Sequence, residues 1–307
     1  MVLSICPNPS IDCYAWIDGF NKGTVNRFSM IEEFPGGKGV HVALALAELE
    51  VDSKVLGFWG GHTGGWIKEQ FQSRAVQFGG VELEENNRRC YTLISNNPNL
   101  NHTELLEPGP VITNEDFESF LKEFKEQSID AEFISMSGSW PSKAPEDGYR
   151  RLIQLAKQQG TKVILDCTGK QLEEALKVGF FGIHLNHKEA EALCGSSDIK
   201  SLRKFLGDKV ELIALTRGSE GLELAYKRTI IKAKIDIDPA QIISTVGSGD
   251  CLTAGILYAL NKKLTLEEVA AWGAACGTAN CLNKDLGMLK KTDVERLIKT
   301  VKIETHE

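Results

Sequence analysis

The sequence predicts an α/β fold in which helices cover both faces of a mostly parallel sheet, with a small antiparallel sheet formed by two insertions. Short apolar runs alternate with segments of helical periodicity along most of the 307 residues, a pattern typical of parallel strands joined by helices. Residues 11–35 and 88–107 break this alternation with short alternating strands and turn residues, so we interpret them as lid strands. Since no linker or internal repeat is visible, a single domain over residues 1–307 is expected.

The predicted elements follow one another in regular order. A buried strand at 2–6 leads into a helix at 39–48, and Asn114 is expected to cap a helix that runs to Gln127. A β-hairpin is predicted after Gly221, with its turn at Lys227 and Arg228. Further strands are predicted at 54–58, 132–136, 163–166, 180–185 and 212–216. Further helices are predicted at 65–74, 145–159, 170–178, 187–194, 249–261, 265–282 and 292–301.

Composition excludes several classes of protein. The formal net charge of −7 argues against a nucleic-acid partner, which would need a basic face. No apolar run approaches the roughly 20 residues that span a bilayer, and the amino terminus lacks the basic start and apolar core of a secretory signal. The eight cysteines show no metal-ligand spacing. They are therefore interpreted as reduced thiols of a cytoplasmic protein without a membrane partner.

The stretch STVGSGDCLTAG at residues 244–255 predicts a phosphate site. Asp250 falls in the first turn of a predicted helix, where a carboxylate complements the helix dipole and is expected to have a low pKa. The N–H groups of Gly247, Ser248 and Gly249 lie at the same end and suit an anion such as phosphate. An ordinary capped helix behind a glycine-rich loop is the alternative that this motif alone leaves open.

A second glycine cluster, PGGKGVH at residues 35–41, also lies where a strand leads into a helix. It matches neither the Walker A loop nor the GxGxxG motif. A sugar phosphate could still approach such an open backbone closely, with a lysine beside it. A tight turn that requires positive φ is the alternative interpretation.

Together the two clusters resemble the PfkB (ribokinase-like) carbohydrate kinases, in the sugar-phosphate branch that contains 1-phosphofructokinase and tagatose-6-phosphate kinase. The resemblance extends over nearly the whole chain, through motifs in the expected order: NPSID at 8–12, VNR at 25–27, LEPGP at 106–110, SGSWP at 137–141, LDCTG at 165–169, LNHKE at 185–189 and TRGSEG at 216–221. It implies a three-layer α/β/α fold with a β lid. It also implies ATP- and Mg²⁺-dependent phosphorylation of a ketohexose phosphate to a bisphosphate, with fructose 1-phosphate as the first substrate and tagatose 6-phosphate as the second.

The resemblance also implies roles for individual residues. Asp250 corresponds to the general base for the acceptor hydroxyl, and Gly247, Ser248 and Gly249 to the anion hole for the transferred phosphoryl group. The implied substrate-binding residues are Asp12, Gly37, Lys38, His41, Arg88, Arg89, Ser137 and Gly138. Lys38 would contact the substrate phosphate together with one of the two arginines, and the spacing does not say which. The structural alternatives are a turn-forming Asp12, exposed strand arginines, a helix-packing His41 and a plain strand-to-loop turn at Ser137 and Gly138.

On the nucleotide side, Asn186 and Glu189 form the N-x-x-E pattern that the family uses to organise Mg²⁺ around ATP, partly through water. Magnesium keeps several waters, so a sparse site at Glu189 is expected. The implied nucleotide-binding residues are His184, Asn186, Thr216, Gly218, Gly221 and Asn280. Asn280 is included on its position alone, and the glycines could equally be turn residues.

Three positions depart from the family pattern. His41 stands where the GGKGxN motif has asparagine, and a neutral histidine can also offer one donor and one acceptor. His184 replaces the lysine of a KPN motif, which removes a permanent cation near the ATP phosphates. Leu106 stands where the branch often has asparagine before EPGP. These departures leave the phosphoryl transfer in place and the identity of the sugar open.

Other functions remain open at this point. One is a kinase of an unphosphorylated sugar or nucleoside, although the lid arginines and Lys38 favour a phosphorylated acceptor. Another is a sugar-phosphate-binding protein without catalysis, motivated by the changes at His41 and His184. The partly apolar lid strands would expose their edges if left alone, so a homodimer through the lid is predicted.

Overall fold

The helices and strands alternate as predicted in the structure, a computed structural model that describes residues 1–306. The strands are β1 (Val2–Cys6), β2 (Ser10–Trp16), β3 (Met30–Gly36), β4 (Ser53–Gly60), β5 (Gln77–Leu83), β6 (Arg88–Ile94), β7 (Glu104–Leu106), β8 (Phe133–Ser137), β9 (Lys162–Asp166), β10 (Phe180–Asn186), β11 (Val210–Thr216), β12 (Leu222–Tyr226), β13 (Thr229–Lys234) and β14 (Lys302–His306). The helices are α1 (Lys38–Glu48), α2 (Gly61–Ser73), α3 (Asn114–Gln127), α4 (Gly148–Gln158), α5 (Gly169–Ala175), α6 (His187–Cys194), α7 (Ile199–Leu206), α8 (Ser248–Asn261), α9 (Leu266–Cys281) and α10 (Lys291–Leu297).

Ten strands of the described chain form the large sheet, in the order β14-β13-β12-β11-β10-β9-β8-β1-β4-β5. The strands from β5 to β11 run parallel to their neighbours. The last three, β12 to β14, are antiparallel, and they include the predicted hairpin. Every residue of β1 is buried, as expected for a strand covered on both faces.

Two helical layers cover this sheet, which confirms the predicted three-layer architecture. One layer packs the apolar faces of α3 to α7, including Phe120 and Leu152, against the sheet. On the opposite face, Val42 of α1 and Cys251 of α8 belong to a core shared with α9 and α10. Helices α1 and α8 contact each other in this layer, which matters for function because both predicted glycine clusters lead into these two helices. None of the helices within residues 1–306 combines the length and the apolar character needed to cross a membrane.

The two predicted insertions form a separate four-stranded sheet in the order β3-β2-β6-β7, called the small sheet below. Its outer pairs, β2–β3 and β6–β7, are antiparallel as predicted. The central pair, β2–β6, is parallel; no hairpin joins these two strands, since they come from different insertions. Large apolar side chains remain exposed on and around this sheet: Val25, Phe28, Met30, Ile31, Leu105 and Leu106.

The prediction that Asn114 caps α3 is wrong by one residue. Thr113 is the N-cap, and its Oγ1 accepts a hydrogen bond from the N–H of Asp116 at 3.1 Å. The Asp116 carboxylate accepts in return from the N–H of Thr113 at 2.7 Å. This capping box satisfies two amide groups that Asn114 could not satisfy together.

Three elements were not predicted from the sequence: β5, α7 and β14. Strand β5 contains Gly79 and Gly80, and glycine weakens any strand pattern. Gly80 lies so close to β4 that an added Cβ would be 2.0 Å from the Gly57 carbonyl oxygen. Helix α7 has only eight residues, and β14 is a mostly exposed edge strand. Short elements of these kinds carry little periodic signal.

Candidate active site

Polar residues end four neighbouring parallel strands of the large sheet. Ser137 ends β8 and pairs in register with Asp166, which ends β9. Asn186 ends β10 and pairs with Thr216, which ends β11. Ligands of open α/β sheets bind beyond these carboxyl ends. The structure therefore aligns three predicted site residues along one edge and adds Asp166 to them.

The helices that follow the two glycine clusters meet at this edge. Nδ1 of His41 in α1 lies 2.8 Å from Oδ2 of Asp250 in α8, although 209 residues separate them. Nε2 of the same ring lies 3.2 Å from Oδ2 of Asp12 in β2, an ion-pair distance at an angle too poor for a hydrogen bond. Ser10 Oγ donates to the other Asp12 oxygen at 2.6 Å. One imidazole thus joins the predicted base to the predicted sugar-binding carboxylate.

The predicted low pKa of Asp250 is wrong. Its location in the first turn of α8 is as expected, but the residue is only 6% exposed. Burial raises the pKa of Asp250 above its ordinary value, and the contacts with His41 and Lys38 oppose that rise without cancelling it. The desolvation of a carboxylate outweighs the helix dipole, whose effect is about 1 kcal/mol at a helix end. Ionisation of Asp250 therefore depends on the cations around it.

At the His41 imidazole, the neighbouring charges outweigh the effect of burial on the pKa. Burial alone would lower the pKa of His41, but the adjacent Asp12 and Asp250 carboxylates outweigh it and raise the pKa to about 10. Burial alone would raise the pKa of Asp12, yet His41, Ser10 and Arg88 together hold that pKa below its ordinary value. A pKa of about 10 favours the protonated ring at neutral pH, between the two carboxylates.

Asp166 binds two further predicted site residues. Its Oδ1 accepts from Lys38 Nζ at 2.5 Å, and its Oδ2 lies 2.7 Å from His184 Nδ1. The second ring nitrogen of His184 lies 3.3 Å from Thr216 Oγ1. Burial alone would raise the pKa of Asp166, but Lys38 and His184 outweigh it and hold the pKa well below its usual range. Asp166 therefore links the predicted substrate-binding Lys38 to the predicted nucleotide-binding His184 through one buried carboxylate.

The anion site predicted from GSGD has an open backbone. Gly247 is the N-cap of α8 in the left-handed conformation, with φ 82° and no side-chain cap. The Ser248 N–H donates to the Thr245 carbonyl at 3.2 Å, and no side chain of residue 247 covers the amides beside it. At Gly249 an added Cβ would lie 2.7 Å from His184 Cε1. The His184 ring thus packs directly against the turn that carries the amides.

The two candidate arginines of β6 differ in their contacts. Arg88 Nε donates to the Asn8 carbonyl at 3.3 Å, and its charge acts on Asp12. Arg89 is paired with Glu33 of β3 at 3.1 Å. Successive side chains of a strand point to opposite faces. Arg88 is therefore the arginine next to the predicted sugar site, and Arg89 belongs to the other face of the small sheet.

The remaining substrate-side glycines border Lys38. Gly37 is the N-cap of α1 with φ 98°. A Cβ at Gly138 would come within 3.6 Å of the Lys38 Cβ, so this position lies against the lysine stem. The Gly138 carbonyl accepts from the Tyr149 hydroxyl at 2.9 Å. The SGS segment after β8 and the GGKG segment before α1 are therefore direct neighbours.

On the nucleotide side, Asn186 and Glu189 form the capping box of α6. Asn186 Oδ1 accepts from the Glu189 amide at 3.0 Å, and Glu189 Oε2 accepts from the Asn186 amide at 2.8 Å. Within residues 1–306 no three His, Cys, Asp or Glu side chains cluster to hold a metal ion. One carboxylate beside an amide fits Mg²⁺ in its usual form, with most of its waters retained.

The other predicted nucleotide-binding residues lie in the turn after β11 and in α9. Gly218 and Gly221 have φ of 55° and 95° in the turn after β11. Asn280 is 1% exposed, and its amide donates to the Met288 carbonyl at 2.9 Å. It thereby holds the loop after α9, and its contact with a nucleotide stays a prediction.

The sequence interpretation missed Asp166 and Gly287. Asp166 had a detectable signal, because an aspartate that ends a buried parallel strand points to the binding edge. Gly287 had no such signal in the sequence. It leaves room for the His41 ring, because a Cβ at Gly287 would be 2.0 Å from His41 Cδ2. Only the folded chain brings the two together.

Comparison with known proteins assigns the chain to a family. The sequence profile of the pfkB family carbohydrate kinases matches residues 2–291. The chain belongs to this family. Among its pfkB relatives, the 1-phosphofructokinase of Bacillus subtilis (strain 168) is 30% identical over 99% of both chains. A tagatose-6-phosphate kinase of Staphylococcus epidermidis is 32% identical, also over 99% of both.

The fold agrees with solved structures of pfkB kinases. The phosphofructokinase-2 of Escherichia coli in complex with substrates and products superposes with a TM-score of 0.87 at 23% identity, covering 97% of this chain and 98% of that one. At this identity the likeness establishes the three-layer fold with its small sheet.

Proposed function

We propose that this carbohydrate kinase transfers the terminal phosphoryl group of ATP to a hydroxyl of a ketohexose phosphate and forms a bisphosphate. The relatives named 1-phosphofructokinase and tagatose-6-phosphate kinase support fructose 1-phosphate and tagatose 6-phosphate as the two candidate acceptors. One observation carries the proposal. The buried Asp250 carboxylate lies in the first turn of α8, directly beside the amides of the glycine-rich turn.

Asp250 is proposed as the general base. The acceptor hydroxyl oxygen forms a bond to the terminal phosphorus of ATP as the bond to the ADP oxygen breaks, and the hydroxyl proton passes to the Asp250 carboxylate. The amides of Gly247, Ser248 and Gly249 donate to the phosphoryl oxygens, on which negative charge is spread. Base and anion hole belong to one helical turn, so they are held in fixed relation to each other.

Lys38 and Arg88 are proposed to bind the phosphate that the sugar already carries. Lys38 uses one contact on Asp166, and an ammonium has three N–H donors, so two remain for a phosphate. Arg88 is favoured over Arg89, because Arg89 is already paired with Glu33. Asp12 would accept hydrogen bonds from sugar hydroxyls, with Gly37, Ser137 and Gly138 lining the sugar. Two cations suit a phosphorylated acceptor better than a free sugar or a nucleoside.

ATP is proposed to lie along the carboxyl ends of β10 and β11. His184, Asn186, Thr216, Gly218 and Gly221 border this edge, with Asn280 behind it. Glu189 would hold Mg²⁺ through water, and the bound ion would supply positive charge at the ATP phosphates.

Two further properties are proposed from the surface and the thiols. The exposed apolar residues of the small sheet support a homodimer formed by pairing of two small sheets, since unpaired apolar strands invite association. All eight cysteines are free thiols, which supports a reducing compartment such as the cytoplasm.

The acceptor is identified by ADP release from Mg-ATP with a panel of sugars: fructose 1-phosphate, tagatose 6-phosphate, fructose 6-phosphate, fructose and ribose. Turnover of one phosphorylated ketose, at a kcat/KM at least 100-fold above that for fructose or ribose, supports the proposal. A preference for an unphosphorylated acceptor would overturn it. Binding of a sugar phosphate without turnover would favour a non-catalytic binding protein.

A further inference from the structure

We propose that His41 is a positioning residue, a cationic bridge that holds the base Asp250 and the sugar-binding Asp12 in one fixed arrangement. The catalytic part of this inference rests on the proposed function, whereas the bridge itself does not. In the GGKGxN pattern of the family this position is an asparagine, which cannot carry charge. The bridge is therefore a property of this chain's own residues.

Geometry establishes the bridge. Both ring nitrogens of His41 face a carboxylate oxygen, at 2.8 Å on the Asp250 side and 3.2 Å on the Asp12 side. A neutral imidazole has one N–H and one lone pair. With Nδ1–H donating to Asp250, the lone pair on Nε2 would face the Asp12 carboxylate and repel it. The imidazolium directs an N–H toward both carboxylates, as a hydrogen bond to Asp250 and as an ion-pair contact with Asp12.

The surroundings are shaped for a ring at this position. His41 is 3% exposed, and the loop after α9 presents Gly287 to its face. The nearest ring atom would lie 2.0 Å from a Cβ at Gly287 and the next 2.2 Å, so any side chain there would displace the imidazole. A Cβ at Gly247 would be 3.5 Å from Nδ1. The ring is thus enclosed by two glycines and two carboxylates.

Every charged group that faces the ring can be named. Asp250 approaches from α8 and Asp12 from β2, while Lys284 and Asp285 of the loop at Gly287 form no ion pair with the ring. At longer range Lys38 acts on Asp250 and Arg88 acts on Asp12. The two carboxylates in direct contact outweigh the effect of burial and raise the pKa of the ring to about 10.

The bridge has two consequences for the reaction. Because Oδ2 of Asp250 is bound to the imidazolium, Oδ1 is the oxygen that faces the acceptor hydroxyl. The imidazolium also keeps this buried carboxylate ionised, since burial alone would favour its neutral form. A cation in direct contact lowers a carboxyl pKa by about 1–3 units. Loss of that cation should therefore move the acid limb of the pH–rate profile to higher pH.

His41→Asn tests this consequence, because asparagine keeps a donor and an acceptor but no charge. The acid limb of kcat/KM against pH should rise by about 1–3 units. The loss of activity should accordingly approach about 10-fold or more on the acid limb and should shrink as the pH rises above it. His41→Gln serves as a second neutral variant should asparagine fold poorly. His62→Asn, a change at an exposed histidine, should leave the profile unchanged.

The charge of the ring is measured independently of any substrate, by imidazole ¹⁵N chemical shifts in the free protein. The His41 signals are assigned by their loss in His41→Asn or His41→Gln. We expect both nitrogens of His41 to be protonated at pH 8. A neutral ring at pH 8, or an acid limb that does not move, would overturn the inference. A protonated ring without turnover of any sugar phosphate would leave the bridge standing and remove the proposed function instead.

Discussion

Replacing Gly287 by alanine should destabilise the protein mainly through the His41 ring. The new Cβ would be 2.0 Å from His41 Cδ2, and the ring cannot move away without breaking its 2.8 Å contact with Asp250. Overpacking of this kind costs about 1–3 kcal/mol. Gly287 also has φ of 65°, a left-handed conformation that costs an L-residue about 1–2 kcal/mol. The two terms predict a loss of about 2–5 kcal/mol in the free energy of unfolding.

A double-mutant cycle separates the two terms. In a His41→Ala background the overlap is gone, so Gly287→Ala should cost only the strain of about 1–2 kcal/mol. Gly160→Ala is the matched control, because Gly160 has φ of 75° with no atom within 4 Å of an added Cβ. Urea titrations followed by tryptophan fluorescence give the four free energies. Equal costs of Gly287→Ala in both backgrounds would refute the packing that the structure shows around His41.

Two further predictions concern Asp166 and the arginines of β6. Because the pKa of Asp166 is lowered by Lys38 and His184, its ionisation stabilises the protein above the unfolded pKa of about 4, and that stability is lost as pH falls further. Asp166→Asn should therefore lower the free energy of unfolding by about 1–3 kcal/mol at pH 7. In urea titrations this difference should shrink below about pH 4. A difference that is constant with pH would contradict this account. Arg88→Gln should raise KM for the sugar phosphate about 10–100-fold in steady-state assays, as expected for a lost charge-assisted hydrogen bond. Arg89→Gln should change it less than about 3-fold, and equal effects would contradict the assignment.

Most of the fold could be predicted because its signals are local. Each buried strand of the parallel sheet is a short apolar run, and the helices behind the glycine clusters begin within a residue of their predicted starts. The parallel β2–β6 pair could not be predicted, since it joins two insertions far apart in the sequence. Strand β5 was not predicted, because its two glycines interrupt the side-chain pattern that identifies a strand.

The site could be predicted residue by residue but not as a network. GSGD and GGKG identify Asp250 and Lys38, since both motifs are contiguous. The bridge from Asp12 through His41 to Asp250 and the role of Asp166 depend on contacts across the fold. The wrong pKa for Asp250 has the same origin, because the helix dipole is visible in the sequence whereas burial is not.

The most direct test of the central claim is the rate of phosphoryl transfer in Asp250→Asn, measured in single turnover with Mg-ATP and the preferred sugar phosphate. The amide keeps the size of the side chain and can still accept from His41, so binding of ATP and of the sugar phosphate should change less than about 3-fold. The transfer rate should fall by about 10²–10⁴-fold, the usual contribution of a general base. A transfer rate equal to that of the unchanged protein would contradict Asp250 as the base, and with it the proposed mechanism.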